Sequence, residues 1–120
     1  MFMPRDFRLF KDDQLESSHF PVIAFFNAIP NSNFLNVMEQ FSLGVGVGIN
    51  ATVCNFPEDL DPDEEAFDGV MFSLHDEEVV VDNGTFLYYL EKACLVYLED
   101  YPDKKSVIDT YFDRIKDRNN

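Results

Sequence analysis

Carboxylates are the residues in this chain whose number and spacing could do chemistry. Eleven fall between Glu58 and Asp82: Glu58, Asp59, Asp61, Asp63, Glu64, Glu65, Asp68, Asp76, Glu77, Glu78 and Asp82. No Lys or Arg occurs from Asp12 to Glu91, a run of 80 residues with 16 acids. The nine bases lie outside it, with Arg5, Arg8 and Lys11 near the start and Lys92, Lys104, Lys105, Arg114, Lys116 and Arg118 near the end. Such a run could bind a divalent cation, supply an acid–base pair, or present a negative field to a basic partner. Asp59-Leu60-Asp61-Pro62-Asp63 starts like a calcium loop, but its sixth position is Glu64 instead of Gly and its twelfth is Val70 instead of Glu. Counting from Asp61 fails likewise, at Ala66 and Phe72. Phe56 to Phe67 reads as a long acidic loop punctuated by Pro57 and Pro62. Acid catalysis needs one carboxylate in an apolar pocket, whereas Glu58 to Asp68 reads as exposed. A field of one sign costs folding stability through self-repulsion. A functional acidic face and a merely solvated one are therefore both open on charge alone.

Other reactive groups are sparse. His19 sits beside a helix cap and His75 in a hairpin turn, neither with a Cys or His at metal spacing. Cys54 and Cys94 lie in apolar settings without basic neighbours to lower a thiol pKa, and read as buried reduced thiols, with a single disulfide as the alternative. Gly44-Val45-Gly46-Val47-Gly48 follows a helix, where a dinucleotide fingerprint would open one, and no Lys is at hand for a phosphate. No cofactor or metal is expected.

The elements that must position these groups follow from periodicity. Ser18 caps a helix with Pro21 in its first turn and Val22, Ile23, Phe25, Phe26 and Ile29 on its apolar side. Ser32 or Asn33 caps a second, with Phe34, Leu35, Val37, Met38 and Phe41 inside and Gly44 at its end. Val45, Val47, Ile49, Ala51 and Val53 alternate as one strand with one buried face. Gly69 to Leu74 and Glu78 to Asp82 form a hairpin around the turn His75-Asp76-Glu77. Thr85 caps a helix whose stripe is Phe86, Leu87, Leu90, Ala93, Cys94, Tyr97, Leu98 and Tyr101. A last helix, about 103–117, buries Val107, Ile108, Tyr111, Phe112 and Ile115. The expectation is a single α+β domain over 1–120, irregular over 1–17. Its small, mainly antiparallel three-stranded sheet carries helices on one face, two N-terminal and two C-terminal.

At 120 residues and a formal charge of -14, the chain has material for one core and should be repelled by nucleic-acid phosphates and anionic lipid. No apolar stretch approaches a membrane span, and Met1 to Asp6 does not resemble a secretory signal, so a soluble cytoplasmic location is expected.

The segment from Ile49, above all Cys54-Asn55-Phe56-Pro57-Glu58-Asp59-Leu60-Asp61-Pro62-Asp63-Glu64-Glu65-Ala66-Phe67-Asp68-Gly69-Val70-Met71-Phe72, resembles the CdiI-type immunity proteins of bacterial contact-dependent growth inhibition systems. Phe34…Phe41-Ser42-Leu43-Gly44 and the helix from Phe86 to Tyr101 are also similar to that group, so the resemblance spans roughly 20–111. It implies a cytosolic protein that is not an enzyme and that blocks the nuclease domain of a delivered toxin, a ribonuclease in the group it most resembles. No contact residue carries over by motif. The toxin-binding residues expected on electrostatic grounds are Glu58, Asp59, Asp61, Asp63, Glu64, Glu65, Asp68, Asp76 and Glu77. The alternatives are a small cytosolic enzyme using a carboxylate pair, with or without a divalent metal, and an adaptor or structural domain.

Overall fold

A computed structural model describes residues 14–57 and 69–118 of the chain. The first α-helix, α1 (Phe20–Ala28), is entered through a 3-10 turn at Ser17–His19. His19, and not Ser18, takes the N-cap position, and it makes no side-chain cap bond. Of the irregular segment expected over 1–17, residues 1–13 lie outside the described part and Ser17 already begins that turn. Pro21 fits the first turn of α1, where its missing N–H is not needed. Val22, Ile23, Phe25, Phe26 and Ile29 are all buried, as their spacing predicts. The second helix, α2 (Phe34–Ser42), buries Phe34, Val37, Met38 and Phe41. It ends at Gly44, whose φ of +75° suits glycine. Gly44 N–H donates to the Phe41 carbonyl (3.0 Å) and Val45 N–H to that of Gln40 (2.9 Å), the paired bonds of a Schellman motif. The Arg118 guanidinium packs where a Gly44 side chain would project, placing a cation at the negative end of α2.

The sheet has four strands among the described residues, where three were expected. They run β1 (Val47–Ile49), β2 (Thr52–Asn55), β3 (Val70–Leu74) and β4 (Glu77–Val81), in the order β1-β2-β3-β4, each antiparallel to its neighbours. The segment read as one strand from Val45 to Val53 turns back on itself at Asn50-Ala51. Asn50 is in the left-handed region (φ 55°), which Asn tolerates. Thr52 Oγ1 donates to the Ile49 carbonyl (2.7 Å) and closes the turn. A two-residue turn sets Ile49 opposite Thr52 and inverts the parity. Val47 and Ile49 thus share a face with Thr52 and Cys54, which are buried, and Val53 points to the other face. The second hairpin forms as expected, but its loop is the two residues His75-Asp76, with Glu77 opening β4. Gly69 lies outside β3, at φ +104°.

Helix α3 (Asn83–Asp100) begins three residues before the position that a Thr85 cap requires. Asp82 is the N-cap, its carboxylate accepting from Thr85 N–H at 2.7 Å. That bond holds the Asp82 carboxyl below its ordinary pKa, chiefly through the Thr85 backbone. Buried residues of α3 are Phe86, Tyr89, Leu90, Ala93, Cys94 and Tyr97; Leu87 and Leu98 are partly buried, and Tyr101 is exposed. After a 3-10 turn at Pro102–Lys104, α4 (Lys105–Arg118) buries Ile108 and Ile115, with Tyr111 and Phe112 half-buried against the core. Tyr111 OH donates to Glu39 Oε2 (3.2 Å), tying α4 to α2, and burial followed by this bond raises the phenol pKa.

The core lies between one face of the sheet and the helices. Phe72 on β3 meets Phe25, Phe26 and Phe86 at ring distances of 5.5, 5.9 and 6.1 Å, and Phe41 bridges Phe25, Phe56 and Phe86. Both cysteines are buried thiols, so the disulfide alternative falls. No helix among the described residues is long and apolar enough to cross a membrane.

Candidate functional site

The acidic stretch leaves the sheet at Pro57, after β2, and returns at Gly69, before β3. Glu58, Asp59, Asp61, Asp63, Glu64, Glu65 and Asp68 lie outside the described residues. Asp76 and Glu77 are exposed at the β3–β4 turn. His75 there has a φ of 53°, and its N–H donates to the Ala51 carbonyl (3.2 Å), binding the two hairpin turns together. That end of the sheet is opposite the one at which Pro57 and Gly69 attach, a five-residue strand away, or roughly 16 Å. Of the nine expected residues, the described part therefore contains two, Asp76 and Glu77, both at the hairpin end of the sheet.

Among the described residues the charged side chains around the β3–β4 hairpin are all acidic. Asp76, Glu77, Glu78 and Asp82 are exposed, and no Lys or Arg pairs with them among the described residues. The described bases all lie from Lys92 onward, on α3, α4 and the turn between them, where Lys105 pairs with Asp109 at 2.6 Å.

Among the described residues, two grooves flank the Ser17–His19 turn where it meets β4. One, of about 370 Å³, is lined by Ser17, Ser18, Phe20, Pro21, Glu77 and Glu78. The other, of about 390 Å³, is lined by Leu15, Glu16, His19, Val80, Val81, Asp82 and Thr85. Sequence reasoning placed Glu77 here but missed Leu15, Phe20 and Val80. An isolated apolar residue carries no signal of its exposure.

Beneath the second groove lies a buried polar chain. Leu15 N–H donates to Tyr89 OH (2.8 Å), and Tyr89 OH is 2.8 Å from His19 Nδ1. His19 Nε2 faces Glu16 Oε2 at 3.2 Å. The phenol oxygen thus accepts from Leu15 N–H and shares a second hydrogen bond with the His19 ring. Tyr89 is fully buried, and this Tyr–His–Glu series clamps the chain before α1 onto α3. The period of α3 could have found Tyr89, three residues after Phe86. Tyr89→Phe should cost about 1–3 kcal/mol, because Leu15 N–H and His19 both lose a partner in a part-buried or buried setting. Chemical denaturation measures this, and an unchanged midpoint would contradict the clamp.

Among the described residues no group of three His, Cys, Asp or Glu is placed to hold a metal. Comparison with curated proteins gives no match. A family model described as CDI immunity protein matches residues 11–112. That match covers the helices through most of α4, all four strands and both grooves, and by it the chain belongs to the CDI immunity protein family.

Proposed function

We propose that this chain is a non-enzymatic cytoplasmic inhibitor that neutralises the nuclease domain of a contact-dependent growth inhibition toxin, a ribonuclease, by covering its RNA-binding cleft with an acidic surface. The observation that carries the reading is charge segregation. The formal charge is -14, and no base occurs from Asp12 to Glu91. The β3–β4 hairpin exposes Asp76, Glu77 and Glu78 with no Lys or Arg paired to them among the described residues. A ribonuclease must hold phosphates with Lys or Arg, so its cleft is positive, and carboxylates can occupy positions that phosphates would take. The expected contacts are Glu58, Asp59, Asp61, Asp63, Glu64, Glu65 and Asp68 from the loop, with Asp76 and Glu77 from the hairpin turn.

The test is co-expression with the C-terminal domain of the toxin encoded beside this gene. A stable complex should form, and an equimolar amount of this chain should abolish RNA cleavage by that domain. Cleavage of DNA but not RNA by the domain would overturn the ribonuclease assignment. Absence of a complex would overturn the inhibitor reading itself.

A further inference from the structure

We propose that the margin of β4, together with the turn that leads into α1, is an anchoring surface for a basic segment of the toxin that carries apolar side chains. This rests on the inhibitor reading and extends it from charge to a located contact. Three large apolar side chains stay open here, Leu15 at 54%, Phe20 at 51% and Val80 at 45% exposure. Phe20 stands apart from α1, whose other large apolar residues are buried. The three line the two grooves, Phe20 one and Leu15 with Val80 the other, and the grooves share the Ser17–His19 turn and the edge strand β4.

Carboxylates surround these apolar groups. Glu77 and Glu78 line the first groove with Phe20, and Glu16 and Asp82 line the second with Leu15 and Val80. Apolar anchors inside a charged rim are how recognition surfaces divide their work, the centre setting dissociation and the rim setting association. The charge selects the occupant. A second copy of this chain would bring the same carboxylates face to face, whereas a cationic segment meets opposite charge at Glu16, Glu77, Glu78 and Asp82. An aromatic face beside two carboxylates also suits a guanidinium, which can stack on the ring and pair with a carboxylate.

The toxin domain encoded beside this gene is the probe, titrated by biolayer interferometry against wild type, Phe20→Ala, the pair Glu77→Gln/Glu78→Gln, and Leu95→Ala. Leu95 is 56% exposed on α3 and lines neither groove, so it is the control. Thermal melts verify that each variant folds. Phe20→Ala should weaken binding about tenfold or more, chiefly through faster dissociation. The glutamine pair should slow association at low salt, and Leu95→Ala should bind as wild type. Tight wild-type binding with Phe20→Ala and the glutamine pair unaffected would overturn the surface and leave the inhibitor reading standing. A homodimer that Phe20→Ala dissolves would overturn the choice of occupant. Failure of wild type itself to bind would overturn both.

Discussion

Replacing Phe72 with Ala should remove about 3–5 kcal/mol of folding stability, because the ring leaves a cavity that its neighbours cannot fill. Phe72 is fully buried on the central strand β3 and touches Phe25 and Phe26 of α1 and Phe86 of α3. It is the point at which the sheet, the first helix and the third helix share one contact. The edge-to-face pair with Phe25 adds about 0.5–1.5 kcal/mol beyond the area it buries. A domain of this size has only about 5–15 kcal/mol to lose. Urea denaturation should therefore show a large fall in midpoint. A loss under about 1 kcal/mol would place Phe72 outside the core.

Gly69→Ala is the second large effect, with a different origin. At φ +104° an L-residue is strained, and the added Cβ would run into the Val81 carbonyl. Val70 pairs with Val81, so relief requires moving the start of the β3–β4 ladder. Strain and backbone clash together should cost roughly 3 kcal/mol or more. Gly48→Ala is the comparison. Its nearest atoms, in Val53 and Thr52, are 3.8 and 3.9 Å away, an ordinary contact distance. It should change stability by about 0.5 kcal/mol or less. Equal denaturation midpoints for the two variants would contradict the account of Gly69.

Much of this fold was legible because helical spacing and burial agree. All five apolar residues expected on the inner side of α1 are buried, and Gly44 ends α2 as its position implies. The break at Asn50-Ala51 was not legible. The alternation of Val45, Val47, Ile49, Ala51 and Val53 runs straight through the turn, so the sequence periodicity favours a single strand. The start of α3 was misread because Asp82 and Thr85 are both capping residues three apart. Geometry, not residue type, decides that Asp82 accepts and Thr85 donates. The candidate site was legible in its charge only. Asp76 and Glu77 are exposed at a hairpin turn, as their neighbours imply. That Phe20, Leu15 and Val80 stand among carboxylates depends on how the turn before α1 packs beside β4. That is a tertiary contact between residues about 60 positions apart, and local patterning does not encode it.

The central claim, that an acidic surface of this chain is drawn to a basic toxin cleft, is tested most directly by the rate of association against ionic strength. The toxin domain encoded beside the gene is mixed with wild type, and with the variant in which Asp61, Asp63, Glu64 and Glu65 are replaced together by Asn and Gln. Asn and Gln match the replaced side chains in size, so the variant should remain folded, which a thermal melt checks. Steered association falls steeply as salt screens the field. Wild type should show that steep fall, and the variant should associate more slowly at low salt with a flatter dependence. Identical slopes for the two proteins would contradict the claim and reduce the acidic loop to solvated surface.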